Sequence, residues 1–275
     1  MSAHAVSITV APNGARRLKA DHAAIPLTPA EIAAEALACE KAGASILHLH
    51  VRDEKGGHSL DVGRYREAIA AVREVSDLIV QPTTERVGIF QPADMMAVQN
   101  ALKPEMITFN LNELIDPDDE NQTARVRDFL AATAGVGTVP QYIVYSLDQL
   151  MQLLRWWEAD WLPQTEPVIL LVLGRYTGST SRPTDILAYL PHIPERWRWA
   201  VCAFGAPELA CVTQAALAGG HCRVGFENNV ITANGEPLRD NADQVGRLAG
   251  VLTELGMPIL GPAAVRKALG LNAAR

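Results

Sequence analysis

Two histidines stand inside an apolar stretch, SILHLHV, at residues 45–51. Side chains on a β-strand alternate between its two faces, so His48 and His50 are expected to point in the same direction. Two neutral imidazoles that converge near the end of a strand are suitable ligands for Zn²⁺ or a similar metal. This favours a metal site, and a pair of hydrogen-bonded core histidines is the alternative.

A catalytic zinc site needs a third protein ligand, and the sequence HCRVGFENN at residues 221–229 offers one. Arg223 and Glu227 are expected on one face of a strand, with Glu227 at the strand end and Arg223 one layer below. A buried carboxylate is costly unless it is paired or bound to a metal. Glu227 is therefore the best third ligand, and a plain Arg223–Glu227 ion pair is the alternative.

A third segment, MITFNL at residues 106–111, repeats the pattern of polar side chains on one strand face. Thr108 and Asn110 share that face, and the apolar residues between them point the other way. Polar side chains near a strand end can form hydrogen bonds to a ligand, so both are candidate substrate-binding residues.

Strand-like and helix-like segments alternate along the whole chain. Expected strands cover residues 7–12, 45–51, 78–83, 106–111, 138–145, 167–174, 197–204 and 221–228; expected helices cover 28–43, 61–75, 92–101, 121–134, 147–160, 183–190, 206–220 and 241–256. Eight strand–helix pairs predict an α/β protein with a single (β/α)8 TIM barrel over residues 1–275. An open, doubly wound sheet is the alternative, but no GxGxxG or Walker loop supports it.

The composition narrows the class of protein. The chain has 275 residues, of which 48% are hydrophobic, and a formal net charge of −7, which disfavours binding to nucleic acid or to anionic membranes. Its four cysteines show no CxxC spacing, as expected in a reducing compartment. The first residues lack a cationic region followed by a long apolar stretch, so we expect no secretory signal, and no apolar run reaches about 18 residues. We therefore expect a cytoplasmic protein.

These residues lie within stretches that resemble the β-keto acid cleavage enzyme family. The matching stretches are ITVAPNGA, KAGASILHLHVRDEKG, LKPEMITFNLNEL and GGHCRVGFENN, which run from the first strand to the last. The resemblance implies a zinc-dependent (β/α)8 barrel. It also implies cleavage of a β-keto acid with acetyl-CoA, giving acetoacetate and a new acyl-CoA, and a homo-oligomer, either a dimer or a tetramer.

At matching positions, the resemblance implies that His48, His50 and Glu227 bind the metal and that Arg223 holds and polarises the substrate. It places Thr108 in the substrate pocket. The residues that we expect to contact the substrate are Arg16, Thr83, Thr108, Asn110 and Asn228.

The chain departs from the family pattern at several polar positions. They are Arg16, where the family has an acidic residue; Pro82 and Glu85, in place of serine and glycine; Gln141 and Ile143, where a glutamate is expected; and Asn228, in place of aspartate. Asparagine cannot accept a proton as aspartate can, so the general base must be another residue, and Glu85 is the candidate. We predict that Arg16 and Glu85 approach within about 4 Å at the barrel mouth. The pocket should then favour a different keto acid from the amino-substituted substrate of the family's best-known member.

The chemistry is plausible on physical grounds as well. Zn²⁺ can polarise the ketone of a β-keto acid, and an arginine can hold its carboxylate in fork geometry. Two other functions remain open. One is a metal-dependent hydrolase of the amidohydrolase type, which also uses an HxH strand, and the other is a barrel that binds a metal or ligand without catalysis.

Overall fold

Eight parallel strands follow one another around a barrel in the computed structural model, which describes residues 4–115, 120–176 and 179–271. The described residues form strands β1 (Ile8–Val10), β2 (Ile46–Leu49), β3 (Val51–Arg52), β4 (His58–Ser59), β5 (Ile79–Pro82), β6 (Met106–Phe109), β7 (Val139–Val144), β8 (Val168–Leu173), β9 (Arg198–Ala203) and β10 (His221–Val224). Strands β3 and β4 form a small antiparallel hairpin, and the other eight form the barrel.

The order of the barrel strands in space is β5-β2-β1-β10-β9-β8-β7-β6, so each strand lies beside its neighbours in the chain. The first strand pairs with the last, and β6 contacts β5 at the remaining junction, which leaves the barrel nearly closed. A doubly wound sheet would instead reverse its strand order partway across. The predicted (β/α)8 barrel is confirmed.

The helices lie between the strands. They are α1 (Pro29–Lys41), α2 (Val62–Arg73), α3 (Pro92–Leu102), α4 (Leu111–Leu114), α5 (Glu120–Gly135), α6 (Leu147–Glu158), α7 (Glu208–Leu217), α8 (Asn241–Glu254) and α9 (Pro262–Leu269). Local signals set their starts: Thr28 and Glu31 form a capping box in front of α1, with Pro29 in its first turn. No helix among the described residues is both long and apolar enough to cross a membrane.

Several predicted elements differ from the structure. The expected helix at 183–190 is instead a pair of 3₁₀ helices, Pro183–Ala188 and Leu190–His192. Pro191 has no N–H to donate, so an α-helix could not continue through it without losing a hydrogen bond. The strand expected at 45–51 is interrupted at His50, and the strand expected at 221–228 ends at Val224.

Side chains along β2 point alternately to the apolar core outside the barrel and to the barrel interior. Leu47 and Leu49 belong to the large apolar cluster between strands and helices, which includes Ile32 of α1 and Tyr65 of α2. His48 therefore faces the interior, as predicted.

Helix α9 covers the end of the barrel opposite the histidines. Arg266 donates to both carboxylate oxygens of Glu105, at 2.6 and 3.0 Å, and to the carbonyl of Asp77 at 2.8 Å. This bidentate contact holds the helix against the loops that precede β5 and β6.

Replacing Arg266 by Ala should lower the free energy of unfolding by about 2–3 kcal/mol, since a mostly buried carboxylate loses its partner. Urea denaturation measures the change. Arg247→Ala, which breaks the exposed pair between Arg247 and Asp243 on α8, is the matched control and should cost less than about 1 kcal/mol. Equal losses in the two variants would contradict the structural role of Arg266.

Candidate metal centre

Three buried side chains meet just beyond the ends of β2 and β10. Nε2 of His50 lies 3.2 Å from Glu227 Oε2, and Nε2 of His48 lies 3.8 Å from the same oxygen. The two Nε2 atoms are 3.2 Å apart. Zinc bonds of about 2.0–2.2 Å in tetrahedral geometry place ligand atoms about 3.3 Å from one another. His48, His50 and Glu227 thus form a three-residue set that could hold a metal ion.

The hydrogen bonds around His48 also fit a metal. His48 Nδ1 lies 3.0 Å from Gln81 Oε1, and Gln81 in turn donates through Nε2 to Gln141 Oε1 at 3.2 Å. The Gln81 oxygen therefore faces His48, so the proton sits on Nδ1 and the lone pair of Nε2 points toward Glu227. Oε2 of Glu227 is buried, and no hydrogen bond from the described part of the chain reaches it. A cation between these atoms would satisfy them.

Electrostatics favours the protonation states that metal binding needs. Burial holds the pKa of His48 well below its usual value, and the nearby Arg223 guanidinium lowers it further, so the imidazole is neutral. Burial alone would raise the pKa of Glu227, but the attraction of Arg223 and His50 outweighs it and lowers the pKa. A metal would therefore meet a neutral histidine and a carboxylate without displacing protons.

Arg223 contacts the other oxygen of Glu227. Its Nη2 donates to Glu227 Oε1, and both side chains lie inside the barrel. The expected ion pair and the expected donor set thus coexist, one at each oxygen of a single carboxylate. Nε of Arg223 is buried with no hydrogen-bond partner among the described residues.

Glu227 lies on a turn after β10 rather than on the strand itself. The chain leaves the strand at Gly225, whose φ of +141° suits glycine, and any Cβ there would collide with the backbone of Ala11. The N–H of Phe226 donates to Asn241 Oδ1 at 2.7 Å, and Asn241 donates to the carbonyl of Pro12 at 3.3 Å. Helix α8 and the β1 loop therefore hold this turn in place.

A cavity of about 230 Å³ opens above the three donors at the carboxyl ends of the strands. Eight of the ten sequence-predicted site residues line it: Arg16, His48, His50, Thr83, Glu85, Arg223, Glu227 and Asn228. Both amide atoms of Asn228 are buried and have no hydrogen-bond partner among the described residues. That amide is available to a bound molecule.

Thr108 and Asn110 do not line this cavity. Strand β6 ends at Phe109, and Asn110 becomes the N-cap of α4, where its side chain accepts the N–H of Asn112 at 2.9 Å. It faces a separate groove beside α6. The expectation that Asn110 continues the inward face of the strand is wrong for that reason. Thr108 is buried, and its carbonyl accepts the Thr84 hydroxyl at 2.8 Å.

Arg16 and Glu85 approach each other at the cavity mouth, with Arg16 Nη2 3.8 Å from Glu85 Oε1, which confirms the predicted distance. Arg16 also lies over the ring of Tyr176. The Arg16 side chain is 55% exposed, so the pair contributes at most about 1 kcal/mol. Burial is the main reason that the pKa of Glu85 is raised.

Other residues of the site carry no signal in the sequence pattern. His58, on β4, lies with its ring 5.1 Å from that of His50 and its Nε2 2.9 Å from the carbonyl of Glu85. Burial lowers the pKa of His58 to about 3. Glu113, on the short helix α4, and Tyr176, in the loop after β8, also line the cavity. A two-residue strand, a four-residue helix and a loop are too short or too irregular to carry the periodic pattern that would have revealed these residues.

Glu113 is a half-buried carboxyl group at the cavity wall. Burial raises its pKa from 4.5 to about 7, and the nearby Glu85 adds to the shift. The folded protein therefore keeps a proton that the unfolded chain releases, and the stability that this proton supports declines between pH 4.5 and 7.

Replacing Glu113 by Gln should remove this dependence. Relative to the unmodified protein, the variant should gain up to about 3 kcal/mol of unfolding free energy between pH 5 and pH 8. Urea denaturation at the two pH values measures the gain. Glu67→Gln, on the exposed face of α2, controls for the loss of one negative charge. A difference that stays constant with pH would contradict the assignment.

Comparison with known proteins gives a consistent result. A family model described as beta-keto acid cleavage enzyme matches residues 5–271. The chain is 33% identical to the 3-keto-5-aminohexanoate cleavage enzyme of Fusobacterium nucleatum subsp. nucleatum, over 96% of this chain and 97% of the relative. It is 30% identical to the enzyme of that name from Acetoanaerobium sticklandii, over 96% of this chain and 98% of the relative.

Among solved structures, apo ObcA has a similar fold. Its TM-score is 0.69 at 18% sequence identity, over 90% of this chain and 65% of the ObcA chain. At this identity the likeness concerns the fold alone.

Proposed function

Because the chain belongs to the β-keto acid cleavage enzyme family, we propose that it is a zinc-dependent enzyme that converts a β-keto acid and acetyl-CoA into acetoacetate and a new acyl-CoA. The observation that carries the proposal is the set of three buried donor atoms beside Arg223, at the base of a cavity. His48, His50 and Glu227 would hold the metal.

The reaction exchanges acyl groups without oxidation or reduction. The bond between the ketone carbon and the adjacent CH2 of the keto acid breaks, and this CH2 carbon forms a new bond to the acetyl carbon. The CoA sulfur moves from the acetyl group to the released acyl group. A base must take a proton from the CH2 group before it attacks and return one to the product.

Arg223 is the proposed anchor for the substrate carboxylate. Its Nη2 is committed to Glu227, whereas its Nε is buried and unpartnered, which supports a contact to a bound anion. The chemistry that zinc supplies when bound is Lewis-acid polarisation of the ketone oxygen. Asn228 and Thr83, which line the same cavity, would orient the substrate.

Glu85 is the proposed general base. It lines the cavity, and its raised pKa suits a carboxylate that accepts a proton from carbon near neutral pH. Arg16, at 3.8 Å, favours the ionised form of Glu85 and so opposes part of the upward shift of its pKa. Asn228 can donate and accept hydrogen bonds but cannot serve as the base.

We also propose a cytoplasmic homo-oligomer with no nucleic-acid or membrane partner. All four cysteines are free and buried, which supports a reducing compartment. Light scattering of the purified protein measures the oligomeric state.

Turnover assays distinguish the proposed function from the two alternatives, a hydrolase and a non-catalytic barrel. The zinc-loaded protein should convert at least one β-keto acid only when acetyl-CoA is present, with acyl-CoA products identified by mass spectrometry. Hydrolysis that does not require acetyl-CoA would favour the amidohydrolase-type alternative. Metal binding without turnover of any keto acid would favour a non-catalytic barrel.

The purified protein should contain about one zinc per chain, and the double variant His48→Ala, His50→Ala should contain almost none, because two of three ligands are lost. Elemental analysis measures the content. His58→Asn, a change at a buried histidine outside the donor set, is the control and should keep its metal. Normal metal content in the double variant would refute the site.

Replacing Arg223 by Lys should reduce kcat/KM at least tenfold while metal content is unchanged, since lysine keeps the charge but loses the fork that contacts two anions. Steady-state kinetics with matched elemental analysis tests this. A fully active Arg223→Lys enzyme would exclude the role.

A further inference from the structure

The cavity above the donor atoms has two chemically different sides. The side formed by β2, β10 and the turn after β10 carries the imidazoles, Arg223 and Glu227. The opposite side, on β7, β8 and β9, carries a set that we call the apolar wall: Ile143, Leu170, Val172, Cys202 and Phe204. Val172 and Cys202 are directly paired across β8 and β9.

The apolar wall is a cluster of its own, separate from the core between strands and helices. Leu170, Val172, Cys202 and Phe204 group with Ala200, and Ile143 packs against them. Leu170 and Cys202 are each 1% exposed, so these side chains are well packed. A polar group placed against this wall would lose its hydration without gaining a hydrogen bond.

The charged side chains that line the cavity lie outside the apolar wall, and most of them contact other groups of the protein. Arg16 lies near Glu85, and Arg223 contacts Glu227. Arg175 stacks on the ring of Tyr145 and donates to the carbonyls of Gly174 and Tyr145, each at 2.6 Å. Glu113 is the remaining carboxyl group of the lining; it lies outside the apolar wall, and its Oε2 accepts the backbone N–H of Arg86 at 3.4 Å. None of the five side chains of the apolar wall carries a charge, so an ionised substituent packed against that wall would meet no counter-charge there.

The position of Arg223 sets the direction of the substrate. A β-keto acid whose carboxylate is bound there has its ketone beside the donor atoms, and the group beyond the ketone must extend away from β10. The cavity, at about 230 Å³, is smaller than the roughly 300–1,000 Å³ of pockets for drug-sized ligands, which limits this group to a short one.

We propose that the substrate is a β-keto acid whose variable group is a short, uncharged alkyl chain packed against the apolar wall. The inference rests on the proposed function and specifies its substrate class. Substrates with an ammonium group or a second carboxylate on this chain are poor fits.

A matched panel tests the proposal. Straight-chain 3-oxo acids of increasing length are compared with analogues of equal length that carry a terminal ammonium or carboxylate group, each with acetyl-CoA and zinc-loaded enzyme. We expect kcat/KM to rise about four-fold for each added methylene until the cavity is filled. The charged analogues should be at least ten-fold poorer than the alkyl substrate of equal length.

Two variants test whether the substrate preference arises at the apolar wall. Ile143→Glu places a carboxylate on the apolar wall, so it should lower kcat/KM for alkyl substrates and raise it for the ammonium analogue. Leu217→Glu makes the same change at a residue that is 57% exposed on α7, and it should alter neither value. An unchanged preference in Ile143→Glu, or a preference of the unmodified enzyme for either charged analogue, would overturn the proposal.

Binding of the corresponding 3-hydroxy acids separates this inference from the proposed reaction, because these compounds lack the ketone and cannot be cleaved. Calorimetry with zinc-loaded protein should show affinity that increases with alkyl chain length. If affinity increases with chain length while no keto acid is converted, the proposed reaction is wrong, but the apolar wall is supported as the contact for the alkyl chain. If affinity is independent of chain length or strongest for a charged analogue, the apolar wall is not the substrate contact.

Discussion

The site depends on a single carboxylate that faces two positive partners. Glu227 gives one oxygen to Arg223 and leaves the other beside two imidazoles, inside a barrel where isolated charges are unfavourable. Arg223 keeps Glu227 ionised, and Glu227 in turn stabilises the buried guanidinium, against the burial that would lower the Arg223 pKa. Neither residue is tolerable without the other, so the position of each fixes the region in which substrate and metal must meet.

Much of this arrangement follows from the sequence, because strands impose a period of two. The alternation of side chains along a strand was enough to predict that His48 and His50 point in the same direction. The free-energy cost of burying an unpaired carboxylate was enough to identify Glu227 as a ligand candidate. The same reasoning failed at Asn110, where the chain turns into a helix one residue earlier than the pattern suggests. Glu113, Tyr176 and the pairing of β3 with β4 belong to segments that are too short or too irregular to carry a periodic signal.

The departures from the family pattern are mutually consistent in three dimensions. An arginine and a glutamate replace an acidic residue and a glycine, and the two lie 3.8 Å apart. Ile143 stands where a glutamate is expected, and it lies on the apolar wall with four other side chains. The replacement of a charged residue by isoleucine at this position therefore leaves that side of the cavity without a charged side chain. The Asn228 amide keeps its place at the cavity without offering a base.

The first strand of the barrel pairs with the last, and His50 and Glu227 stand 177 positions apart in the chain. During synthesis, the imidazoles emerge long before the carboxylate that completes the donor set. The centre therefore cannot assemble on a partly made chain, and its formation reports that the eighth barrel strand has docked. Because such distant contacts are slow to form, ring closure is expected to be a late step in folding, and a metal that binds only the closed ring would stabilise it after that step.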